Sequence, residues 1–591
     1  MQAFLQGSRG WMCAAGAAGL AVAGFGAGRL LGSGPSPSGQ LAEATTRTET
    51  KSPSSDPALT AVPEADAESV VLAQKKRIMG RLNSLEMVSR VATTIRPLLD
   101  KAHEMPEVQA DMKALAKQSG MSLAEYRDYF KGKQEADLLL ESGGDPNARS
   151  VADAIGVAQF LASTGRSCGL KVDLGASNRL SREIAGVERE IDWLQAQAES
   201  WTRPVPVALR PYADRLAKKQ SQLQLASAGT DASEMPGVAP APKTDVWTRD
   251  QWLDYRRSQR ERLIQQRRQA DERFDPFKAI RAQTKYLVRL TRRYGGVDWA
   301  LQAYHGGEGG ASRTISLFAE GLGSRTQLAS RGYTLGGDGR WLPYAELYRR
   351  VSPTGTPGAF GYLFGRSDDH RYYWWKVLMA ERALNLYRED PEAFKKEWQA
   401  LQPGLSSDAV WYADPSPLSF SSDRELAEGY RSGTLVPLPA SAVKLGVRTQ
   451  NLAALQPSSE KLHKGLRPEA MGALLRLAAI YRQHGGREPL VLLSMVETES
   501  YREKFRARYP LAPLPPDVPR DPEFHTMGVT FDVKRPSRDW DRKVLEYSLG
   551  RLYDSLRITW RPETEAGSRR YHVAVNPEHK AELAAHYEKA K

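Results

Sequence analysis

The sequence predicts a mainly α-helical body over residues 69–400 and a C-terminal α+β unit over residues 467–591. Two observations predict the helical body. Between residues 69 and 140 apolar residues recur at helical spacing: Leu82, Leu85, Val88 and Val91, then Leu98 and Leu99 after a break at Pro97. Residues 274–294, FDPFKAIRAQTKYLVRLTRRY, repeat the pattern with Ile280, Tyr286, Leu287 and Leu290 as the larger apolar groups. The third observation predicts the tail. After a helix that contains MGALLRLAAIYRQH, the segments PLVLLSMV, GVTFDV and YHVAVN are short, β-branched runs.

Composition bounds what such a chain does. Its 591 residues suggest three to five folding units at ~100–200 residues each. With 41% hydrophobic and 26% charged residues, a wholly disordered or collagen-like chain is excluded. Mean hydropathy is −0.51, and no apolar run of ~20 residues occurs after position 32, which excludes a polytopic membrane protein. Lys plus Arg is 83 against 70 for Asp plus Glu, a net charge of +13 that favours polyanionic surroundings such as nucleic acid, anionic lipid or an acidic cell-wall polymer. Two cysteines, Cys13 and Cys168, rule out a disulfide framework and a multi-cysteine zinc site.

The elements then follow in order. Arg9 precedes the uncharged, Ala- and Gly-rich stretch 11–28, with AVA at 21–23 as a cleavage motif. Residues 1–32 therefore read as a signal peptide, which places the mature protein in the periplasm or cell envelope. The stretch would span ~27 Å, so an N-terminal membrane anchor is the alternative, and a cytoplasmic disordered start is a third. Residues 33–68, rich in Ser, Pro, Thr and Ala, read as a disordered tether. Ser122 and Glu125 have capping-box spacing, so a helix opens there and carries Tyr126 and Tyr129. Residues 178–225 read as a polar helical pair split by a Pro204–Pro206 kink, and 226–246 as a linker. A basic helix follows over 248–269. The stretch 251–293 holds 13 Lys or Arg and 5 Asp or Glu, so +8 of the net charge sits there. A solvated face accounts for it, and attraction to an anionic glycan is the alternative; no nucleic-acid module accompanies it. Residues 311–400 remain mostly helical around Tyr372, Tyr373, Trp374 and Trp375, and 401–466 form a turn-rich connector.

One carboxyl stands out. Glu141 follows three leucines at 138–140 and precedes a Gly-Gly-Asp-Pro turn, which would put it at a helix C-terminus. Burial and the negative end of the helix dipole both favour a protonated carboxyl, the form a general acid needs. The segment ESGGDPNARSVADAIGVAQFL resembles the catalytic segment of SLT-type lytic transglycosylases, relatives of goose-type lysozyme, through Glu141, Ser142, Pro146, Ala148, Ser150, Ala154, Gly156 and Gln159. The segment DPFKAIRAQTKYLVRLTRRYGGVDWALQAYHGG resembles that family's second block through Asp275, Pro276, Tyr286, Leu287, Ala303, Tyr304 and Gly307. The resemblance implies a lysozyme-like fold over 69–400 and a substrate, the glycan strands of peptidoglycan. It implies that Glu141 protonates the MurNAc–GlcNAc oxygen and then takes the C6 hydroxyl proton, closing a 1,6-anhydro end without water or cofactor. Ser142 and Gln159 would position the glycan, and Tyr304 would brace Glu141. Three departures accompany it. Val157-Ala158 replace a Leu-Met, His305 replaces an Asn, and 161–274 form a large helical insertion. A hydrolytic muramidase and a non-catalytic peptidoglycan-binding scaffold are the other functions such a chain supports.

A second constellation lies in the tail. His525 and Asp532 are seven apart with Gly528 between them, and His572 follows. Two imidazoles and a carboxylate suit zinc with a fourth position open. FHTMGVTFDV resembles the motif of zinc D-Ala-D-Ala peptidases, which implies an α+β domain, a zinc ion on His525, Asp532 and His572, and stem peptides as partners. Arg569 stands where that family carries its catalytic Glu, with Glu565 out of register, and Glu497 stands near the place of its substrate-polarising Arg. The ligand set is kept while base and electrophile are lost, which favours metal or stem-peptide binding over peptidase turnover.

Overall fold

The computed structural model describes residues 65–80, 85–206, 209, 246–321, 342–366, 368–401, 411–412, 418–450, 452–509, 524–565 and 567–591. The signal or anchor at 1–32, the tether up to residue 64 and the linker up to residue 245 lie outside the described residues. In chain order the elements used below are α1 (Pro106–Ser119), α2 (Leu123–Ser142), α3 (Leu174–Gln195), β1 (Thr202–Pro204), β2 (Val246–Thr248), α4 (Arg249–Ala270), α5 (Pro276–Tyr294), α6 (Val297–Gly306), α7 (Glu308–Gly321) and α8 (Asp368–Glu389). The tail adds β3 (Val447–Thr449), α9 (Pro468–Gln483), β4 (Leu490–Ser494), β5 (Thr530–Lys534), α10 (Asp539–Asp554), β6 (Ile558–Glu565), β7 (Ser568–Val575) and α11 (Lys580–Ala590). The chain is mostly helical and divides into two compact units: residues up to 145, 150–152 and 283 onward; and 146–149 with 153–282.

In the first unit α2 packs between α1 and α8, with α6 alongside. Ser122 and Glu125 close both halves of the expected capping box at its start. The break expected at Pro97 is absent. The chain is helical from Leu85 to His103, and a π-turn over Val91–Ile95 opens the hydrogen-bond ladder just before the residue that cannot donate to it. Helix α5 buries Ile280, Leu287 and Leu290 as its pattern predicts.

The tail folds into a mixed five-stranded sheet of order β3-β4-β5-β7-β6, parallel only between β3 and β4. Helix α9 is buried along nearly its whole length and packs on α10 and α11. Strand β6 was hidden in the sequence by its polar residues and Pro562; it is an edge strand, where proline is tolerated. The connector holds a helix that the sequence did not advertise, Asp423–Ser432, capped by Ser422 and ended by Gly433. Aromatic contacts join the tail to the helical body within this unit: Tyr372 meets Tyr553 at 6.3 Å, Phe360 meets Tyr547 at 5.7 Å, and the Tyr348 hydroxyl donates to Asp554 at 2.7 Å.

In the second unit α3 and α4 bury Val187, Ile191 and Leu194 against Trp247, Trp252, Leu253 and Tyr255. The Pro204 kink proves to be a strand instead. Thr202–Pro204 pairs antiparallel with Val246–Thr248, a two-stranded ribbon in which both strands are edges. The second member of the expected helical pair lies outside the described residues.

Candidate active site

Helix α2 sets Glu141 in its last turn. The helix stops because Gly143 takes a left-handed φ of 61°, and a Cβ there would lie 2.3 Å from Met87 Cε. Four residues earlier, on the same helical face, stands Asp137. Its side chain is fully buried, whereas the Glu141 side chain keeps 16% of its surface exposed. Both carboxyls meet one hydroxyl. Tyr373 Oη lies 2.5 Å from Asp137 Oδ1 and 2.7 Å from Glu141 Oε1. His305 Nδ1 also reaches Glu141 Oε1, at 3.0 Å, and its ring stacks on Tyr373 at 3.8 Å and 9°. Helix α6 thus ends on the carboxylate. The turn after it is tight: a Cβ on Gly306 would lie 1.9 Å from the His370 ring.

Behind Asp137 runs a directed polar ladder. Gln283 Nε2 donates to Asp137 Oδ2 at 2.8 Å, and Gln134 Nε2 donates to Gln283 Oε1 at 2.8 Å. His103 Nε2 meets Gln134 Oε1 at 2.9 Å. Burial, and then the Glu141 charge, push the Asp137 carboxyl well above the usual carboxylate range. Burial, with the charges of Asp137 and Glu141, pushes the Tyr373 phenol up, so it stays a donor. Burial, then Arg366 and His305, lower His370 to about 3, which keeps it neutral.

The residues singled out in the sequence take the following positions. Ser142 Oγ donates to Leu138 O at 3.2 Å and accepts from Gly144 N at 3.1 Å, closing the turn after Glu141. Tyr304 packs its ring 5.7 Å from Tyr286. Gln159 lies in the second unit with φ 47°, its Nε2 donating to Gly156 O at 2.9 Å and Ala148 O at 3.3 Å. Asp137 and Tyr373 were missed. The spacing of Asp137 to Glu141 signals a shared face; nothing local marks Tyr373, which reads as one aromatic among four.

In the tail, Asp532 on β5 and His572 on β7 are direct cross-strand partners, and a 3₁₀ turn over Phe524–Met527 brings His525 to them. Asp532 Oδ1 lies 2.9 Å from His572 Nδ1 and 3.3 Å from His525 Nε2, and all three residues are buried. Ligands at zinc distances sit about 3.3 Å apart at the corners of a tetrahedron, so the set fits the ion. The far nitrogen of His525 lies 3.1 Å from Ser494 Oγ and 3.2 Å from both Met495 O and Thr530 Oγ1. Arg570, two residues before His572, donates to Asp532 Oδ2 at 2.7 Å. Burial would raise Asp532, but the two imidazoles outweigh it and hold the carboxyl well below its ordinary range. Glu497 is paired with Arg502 at 3.2 Å and accepts from Ser494 Oγ at 2.5 Å. Arg569 lines a shallow cleft with Arg535 and Glu563. Glu565 pairs with Ser568 at the hairpin tip, four residues or about 13 Å of strand from His572.

Residues 256–322 match the model of the Transglycosylase SLT domain family. Its members are lytic transglycosylases that act on peptidoglycan, and the mostly helical architecture agrees with a lysozyme-like fold. The matched stretch contains Tyr304 and His305 and ends before α8; Glu141 lies upstream of it. The zinc D-Ala-D-Ala peptidase resemblance gains no support from it. No curated protein and no solved structure matches the chain.

Proposed function

We propose that this chain is an exported peptidoglycan lytic transglycosylase with Glu141 as its single acid and base. The observation that carries the reading is the meeting of Glu141 with His305, a residue of the SLT-matched stretch, on a carboxyl that is partly exposed while everything behind it is sealed. Glu141 gives its proton to the oxygen between MurNAc and GlcNAc, and the C1–O bond breaks. Glu141 then takes the C6 hydroxyl proton as O6 bonds to C1, closing the 1,6-anhydro ring. The proton count of the carboxyl is restored and no water is consumed. Substrate-assisted glycosidases work with one carboxyl when the sugar's N-acetyl oxygen stands in for the second. Tyr373 and His305 hold the carboxyl in register, and Ser142 closes the turn that presents it. Glu141→Gln should lower release of muropeptides from sacculi by about 10²–10⁴ without changing the melting point. Mass spectrometry of the products separates the readings: anhydro ends for a lyase, reducing ends for a muramidase, no release for a scaffold.

A second reading concerns the tail, where the donor set favours a zinc ion held by His525, Asp532 and His572. Bound there, zinc would supply Lewis-acid polarisation of a carbonyl. Arg570 fixes Asp532, and Arg502 offsets the Glu497 charge that would otherwise oppose an anionic ligand. With Arg569 unable to take a proton and Glu565 at the hairpin tip, the site suits binding of stem peptides more than their hydrolysis. Metal analysis of the full chain, then incubation with a pentapeptide stem, tests this. One zinc lost in His525→Ala and no D-Ala release is the expected outcome; rapid D-Ala release would reveal a base elsewhere.

A further inference from the structure

Tyr373 has one hydroxyl hydrogen and two carboxyl neighbours, at 2.5 Å and 2.7 Å. A phenol donates once. The second contact therefore needs a hydrogen from a carboxyl, because a carboxylate oxygen cannot sit 2.5 Å from a phenol oxygen without one between them. The ladder behind decides which oxygen carries it. Gln283 spends its carbonyl on Gln134, so its amide donates to Asp137 Oδ2, which must accept. A proton on Asp137 is thereby confined to Oδ1, the oxygen that faces Tyr373. Glu141 already accepts at Oε1 from Tyr373 and lies within reach of His305 Nδ1.

From this geometry we infer that Asp137 and Glu141 hold one proton between them through Tyr373, with Asp137 as the positioning residue that keeps it in reserve for Glu141. When Asp137 Oδ1–H breaks and hydrogen passes to Tyr373 Oη, the phenol's own hydrogen passes to Glu141 Oε1. One O–H bond forms for each that breaks, and no other reactant is needed. Among the described residues, the following groups face the pair. Tyr373 and His370 come from α8 and His305 from α6, while Gln283 from α5 is uncharged. Arg366 reaches Gly306 O beside His370. Desolvation favours the neutral form of Asp137, and a nearby ionised Glu141 favours it further. Such a dyad titrates in two steps that belong to the pair.

The consequence for catalysis rests on the transglycosylase reading, so the test has a readout free of activity. Infrared difference spectra of the full chain, with 13C in the Asp carboxyls, would be compared between wild type and Asp137→Asn. The expected result is a protonated-carboxyl band present at pH 7 in the wild type and absent in the variant. Its absence from the wild type would overturn the proposal. If Asp137→Asn does not fold, Tyr373→Phe serves. It keeps both carboxyls and removes the bridge, so the band should shift; an unmoved band overturns the proposal equally. In lytic assays the alkaline limb of kcat/KM should move down by about one pH unit or more in Asp137→Asn, because Glu141 loses its proton reserve. A merely structural Asp137 would lower activity at every pH and leave the limb in place. A chain with the band but without lytic activity would keep the shared proton and lose the transglycosylase reading instead.

Discussion

Asp137 and Asp532 are both sealed from solvent, and burial alone would neutralise both. They end on opposite sides. Asp137 faces another carboxyl, a phenol and an amide, and its carboxyl is raised; Asp532 faces two imidazoles and a guanidinium, and its carboxyl is depressed. The sign is set by the partners, not by the depth. One set of partners favours a proton on the carboxyl, the other a charge.

The largest expected effect breaks this comparison at its ionised end. Asp532→Asn, measured by denaturation of the full chain with a chelator present, should cost about 3–5 kcal/mol, because the buried Arg570 guanidinium loses its counter-charge and the two imidazoles lose their carboxylate partner. Asp137→Asn should stay within about 1 kcal/mol of wild type, since the amide reproduces a neutral acid that donates to Tyr373 and accepts from Gln283. Equal losses would show that depth, after all, decides. Arg570→Gln comes next, at about 1.5–3 kcal/mol, the worth of one hydrogen bond to a charged group.

A smaller effect lies at the far end of the ladder. Burial lowers His103 to about 4, against an ordinary 6.5. Its folded value is depressed, so its contribution is complete above pH 6.5 and is lost as pH falls toward 4, where the unfolded chain binds the proton first. That loss amounts to at most ~1.4 kcal/mol per pH unit. His103→Gln should remove this part of the acid slope; an unchanged slope would mean that His103 is already charged in the fold. The smallest effect concerns the basic helix. Arg256 pairs with Glu190 at 2.7 Å, so Arg260 and Arg262 carry the test of glycan attraction. Their joint change to Gln should lower sacculus binding at physiological salt by less than about tenfold.

Local pattern made much of this legible. The 3.6 period marked α5, the capping box fixed the start of α2, and the Gly-Gly-Asp-Pro turn its end. Short β-branched runs located β4, β5 and β7, and the seven-residue step from His525 to Asp532 pointed to two of the three residues that meet in the tail. Strand β6 escaped because an edge strand with one polar face carries little hydrophobic signal. Tyr373 escaped for a different reason. It lies 232 residues from Glu141, and its hydroxyl is useful only because α8 packs beside α2. Arg570 could have been read, since it lies on the His572 face by period two.

The first two described helices of the chain, Ala67–Ala73 and Lys75–Met79, are fastened to one of the last. Arg77 sits between the rings of Tyr372 and Tyr553, at 5.2 Å and 4.9 Å, and Ala73 O accepts from the Tyr553 hydroxyl across 480 residues. A ribosome adding about 5–20 residues per second needs roughly half a minute to a minute and a half to span that distance. Glu141, His305 and Tyr373 are all translated well before the end of that interval, yet the flank beside Tyr372 stays bare until α10 emerges. The helical body therefore gains this flank only at the end of synthesis, and a chain truncated before residue 539 would lack it.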